Sequence, residues 1–370
     1  MNYKICDLCE VTSSRRIFAR EYTTCGVPFF RSQEVIESSL RGHAEPTIFI
    51  SENRYNQIIQ SKLPVPKKGD ILLSAIGANR GYPWHVDIDH FYFKDGNVIW
   101  LRNFTENCNS SYICYYLGRE TIITSMQRAS EHSAQGALTI DLIKSIEIEL
   151  PDLIVQQHIV NTIGTIDDFI ENKEKEYASK INLLLSLFSS FESENKTSFG
   201  EAFKTYNGGT FQSKYYVSSS SNKLITIKNV DDKGFNTESV SFLDDEHADK
   251  RFLLNAGDIV LTMTGNIGRS GIVDETNCYL NQRVLKLDCD SKSYLLAYLI
   301  KYKNEIIQLG KGTAQLNLSL EDLKQLAVKN TISDIKEFKR YDSIFESLIN
   351  TKLIIKKAKE IKQILLSKYF

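Results

Sequence analysis

Residues 67–74, Lys-Lys-Gly-Asp-Ile-Leu-Leu-Ser, return as residues 255–262, Asn-Ala-Gly-Asp-Ile-Val-Leu-Thr. In each copy a Gly-Asp pair precedes a short apolar run, a pattern typical of a turn that leads into a strand. A glycine-bracketed turn follows each run, at residues 77–81 and 265–269, and both turns contain an asparagine and an arginine. Since a sequence that repeats itself indicates a repeated structural unit, we predict two domains of similar fold.

A second pair of motifs supports the duplication. Residues 133–139, Ser-Ala-Gln-Gly-Ala-Leu-Thr, correspond to residues 313–319, Thr-Ala-Gln-Leu-Asn-Leu-Ser, and an acidic-apolar helix signal follows each of them. Short runs of β-branched and aromatic residues alternate with short helical segments in both copies, which predicts α+β globules.

Each copy ends in a long stretch of helical periodicity. Apolar residues recur at heptad spacing in both stretches, which predicts two long helices with apolar seams. The seam residues are Ile163, Ile170, Tyr177 and Leu184 in the first helix, and Tyr341, Leu348, Ile355 and Leu365 in the second. Acidic residues prevail in 167–176 and basic residues in 352–368, so an antiparallel pair would bring opposite charges together. The alternative is that each sign only favours its end of the helix dipole.

The composition indicates a globular protein. The chain has 370 residues, of which 42% are hydrophobic and 25% charged, enough for two domains and their connections. We find no apolar run of about 20 residues and no secretory signal at the N-terminus, and we therefore expect a cytoplasmic protein. The formal net charge of −1 is unusual for a chain that neutralises DNA phosphates by itself. Either the charge is segregated, or partner proteins supply part of the cationic surface.

The order of these motifs resembles the specificity subunit of type I restriction-modification systems. The resemblance includes the opening residues 5–16, both Gly-Asp motifs, both Ala-Gln loops, and residues 150–160, Leu-Pro-Asp-Leu-Ile-Val-Gln-Gln-His-Ile-Val, which are similar to the family's start of a long helix. It spans essentially the whole chain. Residues 329–334 depart from the pattern, which leaves the start of the last helix less well defined.

The resemblance implies an α+β protein with two α/β target-recognition domains in tandem, separated by two long helices that pair as an antiparallel coiled coil. We predict recognition domain 1 at residues 1–150, spacer helix 1 at 151–195, recognition domain 2 at 196–330 and spacer helix 2 at 331–370. Each domain would read one half of a bipartite, asymmetric site in double-stranded DNA, and a helix of about 60 Å would set the gap. Two methyltransferase subunits would dock on the assembly, and nuclease/translocase subunits can join it.

We find no chemistry of the chain's own and expect no cofactor or metal. The sequence contains no Pro-Pro-aromatic loop of an amino-methyltransferase and no phosphate-binding loop, and Gly265-x-x-Gly268-x-x-Gly271 fits a hairpin better than a nucleotide site. Cys6-x-x-Cys9 has no second pair at zinc-finger spacing, and His85 and His90 lie among aromatic residues, where packing is the simpler role. Two alternatives stay open: a two-domain adaptor that binds protein only, and a divergent self-contained nuclease or methyltransferase.

We select DNA-contact candidates among side chains that can bond base edges or phosphates. In the first domain they are Arg15, Arg16, Arg20, Arg31, Asn79, Arg80 and Tyr82; in the second they are Lys214, Tyr215, Lys228, Asn266, Arg269, Gln282 and Arg283. The repeated turns stand out because they occupy corresponding places in the two copies. We therefore expect Arg80 and Arg269 at the DNA face of their domains, where alanine would weaken DNA binding with little change in melting temperature.

Overall fold

A computed structural model describes residues 2–42, 44–131, 136–237, 239–312 and 316–370. The chain forms two compact units. Unit 1 comprises residues 1–171 and 358–370, and unit 2 comprises residues 172–357. Both Ala-Gln motifs, at residues 133–135 and 313–315, lie outside the described residues. Within the described ranges, no helix is both long enough and apolar enough to cross a membrane.

Unit 1 combines two four-stranded sheets with a small two-stranded one. The strand orders are β2-β9-β6-β7, β3-β5-β4-β8 and β1-β10. The elements are β1 (Asn2–Lys4), α1 (Ile5–Leu8), β2 (Glu10–Thr12), β3 (Tyr22–Thr23), β4 (Val27–Phe30), α2 (Ser32–Arg41), β5 (Phe49–Ile50), α3 (Glu52–Gln60), β6 (Ile71–Ser74), β7 (Pro83–His85), β8 (Tyr92–Phe93), β9 (Val98–Arg102), α4 (Ser110–Leu117), α5 (Glu120–Ser130), α6 (Ile140–Lys144), β10 (Glu147–Glu149) and α7 (Leu153–Phe191), which continues into unit 2.

Unit 2 repeats this plan with local insertions. Its sheets have the orders β12-β22-β19-β20, β13-β17-β14-β21-β18, β11-β23 and β15-β16. The elements are β11 (Lys196–Ser198), α8 (Phe199–Ala202), β12 (Lys204–Asn207), β13 (Tyr216–Val217), β14 (Asn222–Ile225), β15 (Val230–Asp231), β16 (Gly234–Phe235), β17 (Ser241–Leu243), β18 (Leu253–Leu254), β19 (Ile259–Thr262), β20 (Ser270–Ile272), β21 (Cys278–Leu280), β22 (Val284–Asp288), α9 (Lys292–Lys301), α10 (Lys303–Gln308), α11 (Leu320–Gln325), β23 (Ala327–Lys329), α12 (Ile332–Phe338) and α13 (Asp342–Tyr369).

The Gly-Asp motif has the same structural role in both units. The Asp70 carboxylate accepts the backbone N–H of Lys67 at 3.0 Å and the buried indole N–H of Trp100 at 2.8 Å. Asp258 accepts the backbone N–H of Asn255 at 2.8 Å and pairs with Lys286 at 2.8 Å. Each aspartate thus closes its turn and contacts the neighbouring strand. These donors offset the cost of burying a carboxylate.

The two long helices pair in antiparallel orientation. In unit 1, the His158 ring of α7 lies 6.2 Å from the Tyr369 ring of α13, and Asp167, farther along α7, pairs with Lys362 at 2.6 Å. In unit 2, Lys180 of α7 donates a 2.7 Å hydrogen bond to Thr351 of α13. Partner numbers rise along one helix as they fall along the other, which confirms the predicted antiparallel pairing. The Gly265-x-x-Gly268-x-x-Gly271 segment forms the β19–β20 hairpin connection, as expected.

The residues predicted for the helix seam differ in their burial. Ile163, Ile170, Leu184 and Leu348 are buried, whereas Tyr177, Tyr341, Ile355 and Leu365 are half-buried. Leu366 is buried where Leu365 was predicted. A straight helix drifts about 20° per heptad, so a strict seven-residue count loses the buried face over several turns. The helical residues of the last segment also begin in α12 and pass through a 3-10 turn, Lys339–Tyr341, before α13.

Candidate nucleic-acid interface

In each unit the candidate site lies at one end of the strands of a four-stranded sheet. This sheet is β2-β9-β6-β7 in unit 1 and β12-β22-β19-β20 in unit 2. In unit 1, β2 and β6 end beside the start of β9, where Thr12 faces Trp100 and Ser74 faces Val98. In unit 2, β12 and β19 end beside the start of β22 in the same register. The loops that follow these strands therefore leave from the same end of the sheet, and we call this row of strand ends and loops the loop edge.

The repeated glycine turn lies at this loop edge and has the same hydrogen bonds in both copies. The Ser74 hydroxyl donates to the Asn79 carbonyl at 3.0 Å, and the Thr262 hydroxyl donates to the Asn266 carbonyl at 2.5 Å. Gly81 lies at φ +95° and is held against Met126 of α5, a conformation and a spacing that favour glycine. The side chains of Asn79 and Asn266 are exposed.

The two turn arginines are not equivalent, contrary to our expectation. The Ser74 N–H bonds to the carbonyl of Tyr82, while the Thr262 N–H bonds to the carbonyl of Arg269. Arg269 therefore corresponds to Tyr82, and the buried Ile267 takes the place of Arg80. The segment from Ser74 to Gly81 is one residue longer than the matching segment from Thr262 to Gly268. This extra residue shifts Arg80 relative to Arg269.

Internal partners hold both of these arginines. The Arg80 guanidinium donates to the Ser130 hydroxyl at 2.6 Å and the Gln127 carbonyl at 2.9 Å, at the C-terminal end of α5. Arg269 pairs with Asp232 at 2.6 Å, and Lys303 pairs with the same carboxylate at 2.7 Å. The Lys303 ammonium, which has the larger effect, and the Arg269 guanidinium both donate to the Asp232 carboxylate, favour its charged form and lower its pKa.

We expect the Arg80→Ala variant to lose about 1–3 kcal/mol of stability, because the carbonyl and hydroxyl at the end of α5 lose their donor. This replaces our expectation that the melting temperature hardly changes. Asn79→Ala is the matched control, since the hydrogen bond at that residue uses only its backbone carbonyl. Thermal melting of both variants tests the difference, and equal melting temperatures would contradict it.

The clearest match between the units is a pair of exposed cations. The 3-10 turns Ala19–Glu21 and Ser213–Tyr215 each lead from the loop edge into another sheet of the same unit. This sheet is β3-β5-β4-β8 in unit 1 and β13-β17-β14-β21-β18 in unit 2. Arg20 and Lys214 hold the same position in these turns, and both are exposed. The Arg20 guanidinium lies 5.2 Å from the Phe18 ring and the Lys214 ammonium 4.8 Å from the Tyr215 ring.

Tyr215 is fixed by a second aromatic ring. The His247 ring stacks on it at 3.5 Å with an interplanar angle of 14°, and His247 Nδ1 lies 2.8 Å from the Asp244 carboxylate. The Tyr215 side chain is half-buried, so one part of the ring packs and the other stays accessible. A stacked, oriented aromatic next to a lysine suits contact with a phosphate or a base.

The remaining candidates of unit 1 differ in their exposure and in their contacts within the protein. Arg15 is exposed, and Arg16 pairs with Asp95 at 3.0 Å. Arg31 pairs at 2.5 Å with Glu34, a buried carboxylate that also caps α2. The hydrogen bond that the Arg31 guanidinium donates to Glu34 raises the pKa of Arg31. Arg31 is thus the N-cap residue of α2. Tyr82 is half-buried and packs against the core of unit 1.

Unit 2 places three further candidates around the same edge. Lys228 is exposed after β14. Gln282 is exposed and accepts the Thr210 hydroxyl at 2.7 Å, which ties the two loops together. Arg283 is exposed at the start of β22, and its carbonyl accepts the N–H of Met263 at 3.0 Å.

The described residues that follow the two Ala-Gln pairs bond to the chain next to the glycine turns. Leu138 and Leu318 follow the two loops, and they donate backbone N–H groups to Ala75 and Met263, each at 2.8 Å. Ala75 and Met263 are themselves matched positions, next to Ser74 and Thr262. The chain therefore comes back to the loop edge directly after each Ala-Gln motif.

Cys9, His85 and His90 each have neighbours within unit 1. Burial raises the pKa of Cys9 to about 12, and no group of three metal-ligating side chains occurs among the described residues. His85 Nε2 lies 3.0 Å from the Ser110 hydroxyl, which joins β7 to α4, and burial lowers its pKa. His90 contacts Glu52 at 3.1 Å and the edge of the Tyr55 ring.

Comparison with known proteins identifies the family. The family model for the type I restriction modification DNA specificity domain matches residues 1–182 and again residues 191–365. The chain belongs to this family. The two matched segments follow the duplication that the Gly-Asp and glycine-turn motifs predicted, so each unit contains most of one specificity domain.

Individual relatives are distant. A Haemophilus influenzae protein that carries the name of a type I restriction enzyme specificity subunit, S.HindORF215P, is 25% identical over 192 residues, which cover 49% of this chain and 46% of that protein. The chain thus matches about half the length of this curated relative. The crystal structure of a type I restriction-modification S subunit from M. genitalium shares the fold, with a TM-score of 0.54, 14% identity, and coverage of 100% of this chain and 96% of the other.

Proposed function

We propose that this specificity-domain chain is the DNA-reading subunit of a type I restriction-modification complex. Each unit reads one half of a bipartite, asymmetric site in double-stranded DNA. The observation that carries the proposal is the matched pair Arg20 and Lys214, exposed cations in equivalent turns beside a duplicated loop edge. Cations at this edge neutralise phosphates and set the register for base contacts.

The differences between the two edges support an asymmetric site. At the positions that follow β2 and β12, unit 1 carries Arg15 and Arg16, whereas unit 2 carries Gly209 and Thr210. Unit 2 has Arg283 at the start of β22, where unit 1 has Asn97. Because base preference follows from the side chains at the groove, the two edges select different half-sites.

The paired helices α7 and α13 set the gap between the half-sites and dock two methyltransferase subunits. Methyl transfer and cleavage belong to these partners and to nuclease/translocase subunits, and the chain itself needs no cofactor. With a net charge of −1, the isolated chain binds DNA weakly. The complex binds tightly because the partners add cationic surface.

Co-expression with a methyltransferase subunit of the same system, followed by methylome sequencing, tests the proposal. The expected result is methylation at a split motif with a fixed gap. Methylation at a continuous motif would overturn the bipartite reading, and methylation or cleavage by the purified chain alone would overturn the non-catalytic role. Assembly with protein partners without any DNA selectivity would favour the adaptor alternative.

We expect the Arg20→Ala and Lys214→Ala variants to weaken DNA binding by the assembled complex about tenfold each and to reduce the salt dependence of binding. The Lys68→Ala and Lys204→Ala variants are matched controls, because these exposed lysines lie at the opposite edge of the same two sheets. Salt titrations of DNA affinity measure the effect. Equal affinities for the site variants and the controls would rule out the loop edge as the DNA face.

A further inference from the structure

Phe18 is an exposed aromatic side chain beside the loop edge of unit 1. The ring is 49% exposed, although it follows the fully buried Ile17. Its position is the N-cap of the 3-10 turn Ala19–Glu21, the turn that also carries Arg20. Phe18 is not among the residues that were predicted from the sequence to contact DNA.

The turn holds Phe18 in a defined place. The Phe18 N–H donates to the Glu21 carboxylate at 2.8 Å, and Arg54 of α3 lies 2.7 Å from the other oxygen of Glu21. Ile17 packs in the core cluster with Val27 and Phe29. The packing of Ile17 and the ion pair of Glu21 therefore fix the backbone on both sides of Phe18. Little backbone entropy would be lost when the exposed ring binds.

Two guanidinium groups flank the ring. Arg16 lies 5.9 Å and Arg20 lies 5.2 Å from the ring centroid, and Asp95 holds Arg16 in place. An apolar side chain between cations has the chemistry of a DNA wedge, in which the ring enters between base pairs and the cations contact the phosphates on either side. A protein partner would more commonly cover a ring within an apolar surface, whereas residues 15–20 contribute three arginines and one exposed phenylalanine.

We propose that Phe18 inserts between adjacent base pairs of the half-site read by unit 1 and unstacks them. This inference rests on the proposed function and adds a deformation step to the reading of one half-site. The matching position in unit 2 is Gln212, which is exposed and polar. The wedge therefore acts in one half-site only, and flexible pyrimidine–purine steps are favoured there.

The test uses the assembled complex and duplexes with 2-aminopurine at successive positions of both half-sites. Wild-type complex is expected to raise the fluorescence at one step of the unit 1 half-site, because unstacking relieves quenching. Phe18→Ala should abolish this rise and weaken binding about tenfold, while Phe18→Leu keeps an apolar wedge and part of the rise. Gln212→Ala is the control, and it should leave the signal unchanged.

The outcomes separate this inference from the proposed function. An unchanged fluorescence rise in Phe18→Ala, with DNA binding intact, would overturn the wedge alone. Loss of a methyltransferase subunit from the Phe18→Ala complex, with the rise intact in the remaining DNA-bound fraction, would assign the ring to a protein contact and also overturn the wedge. If the wild-type complex bound no duplex selectively, the proposed function would fall, and the wedge with it.

Discussion

Replacing Lys352 with methionine is expected to lower the free energy of unfolding by about 3–5 kcal/mol. Lys352 of α13 has a side chain that is only 19% exposed, and it lies 3.1 Å from the Asp274 carboxylate. Its ammonium also donates to the carbonyls of Phe235 and Ile272, each at 3.0 Å. Methionine would leave one carboxylate and two carbonyls without this donor, in a place where water can reach them only in part.

The Asp274–Glu275 segment forms one of the contacts between unit 2 and α13. Lys356 pairs with Glu275, which also pairs with Lys223 at 3.2 Å. Burial lowers the pKa of Lys352, and the nearby Asp274 opposes that shift. Part of the basic surplus of α13 thus holds the recognition unit, while Lys362 of α13 pairs with Asp167 in the acidic stretch of α7.

Lys357→Met is the matched control for Lys352→Met. Lys357 lies on the same helix and is exposed, so its replacement should change stability by less than about 0.5 kcal/mol. Urea denaturation followed by circular dichroism gives both values. If the two variants unfolded at the same urea concentration, the ammonium of Lys352 would have no structural role.

The Gly208→Ala variant is expected to lose about 3 kcal/mol of stability. A Cβ at this position would come within 3.0 Å of the backbone carbonyls of Asn281 and Leu280, a distance that real Cβ atoms do not show. The constraint is close approach of two backbones, since β12 ends here against the end of β21. The neighbouring bonds from Gly209 to Leu280, at 2.8 Å, and from Gln282 to Gly209, at 2.9 Å, would be displaced.

Gly164→Ala provides a control with the opposite sign. Gly164 lies in α7, and a Cβ there would meet only the Tyr115 hydroxyl at 3.7 Å, an ordinary contact. Alanine in a helix is more stable than glycine by up to about 1 kcal/mol, so this variant should gain stability. Denaturation curves of both variants show whether the sign differs. A neutral Gly208→Ala variant would mean that the loop edge of unit 2 can open without cost.

Several features of the protein were predictable from the sequence because they are encoded locally. A Gly-Asp turn followed by an apolar strand occupies eight residues, and its recurrence at 255–262 was sufficient to predict two similar units. Heptad spacing likewise predicted both long helices. Exposed cations in residues 15–20 and 214–228 were visible as residue types, although their partners were not.

The side-chain partners depended on residues far apart in the sequence. Arg31 and Arg80 were selected as DNA contacts on their chemistry, yet Glu34 and the end of α5 hold their guanidinium groups. The sequence placed Arg80 and Arg269 at corresponding points of two similar turns. Strand register showed that Arg269 instead matches Tyr82, because one additional residue in the first turn moves its arginine.

The sequence by itself determined the duplication, the class of each unit and the two long helices, since turn chemistry and apolar periodicity act over a few residues. Only the tertiary structure decided that Arg20 and Lys214 are equivalent, that Phe18 is exposed between two arginines, and that Lys352 is half-buried against Asp274. These properties depend on strand register and on contacts between distant segments, and neither can be read from local patterns.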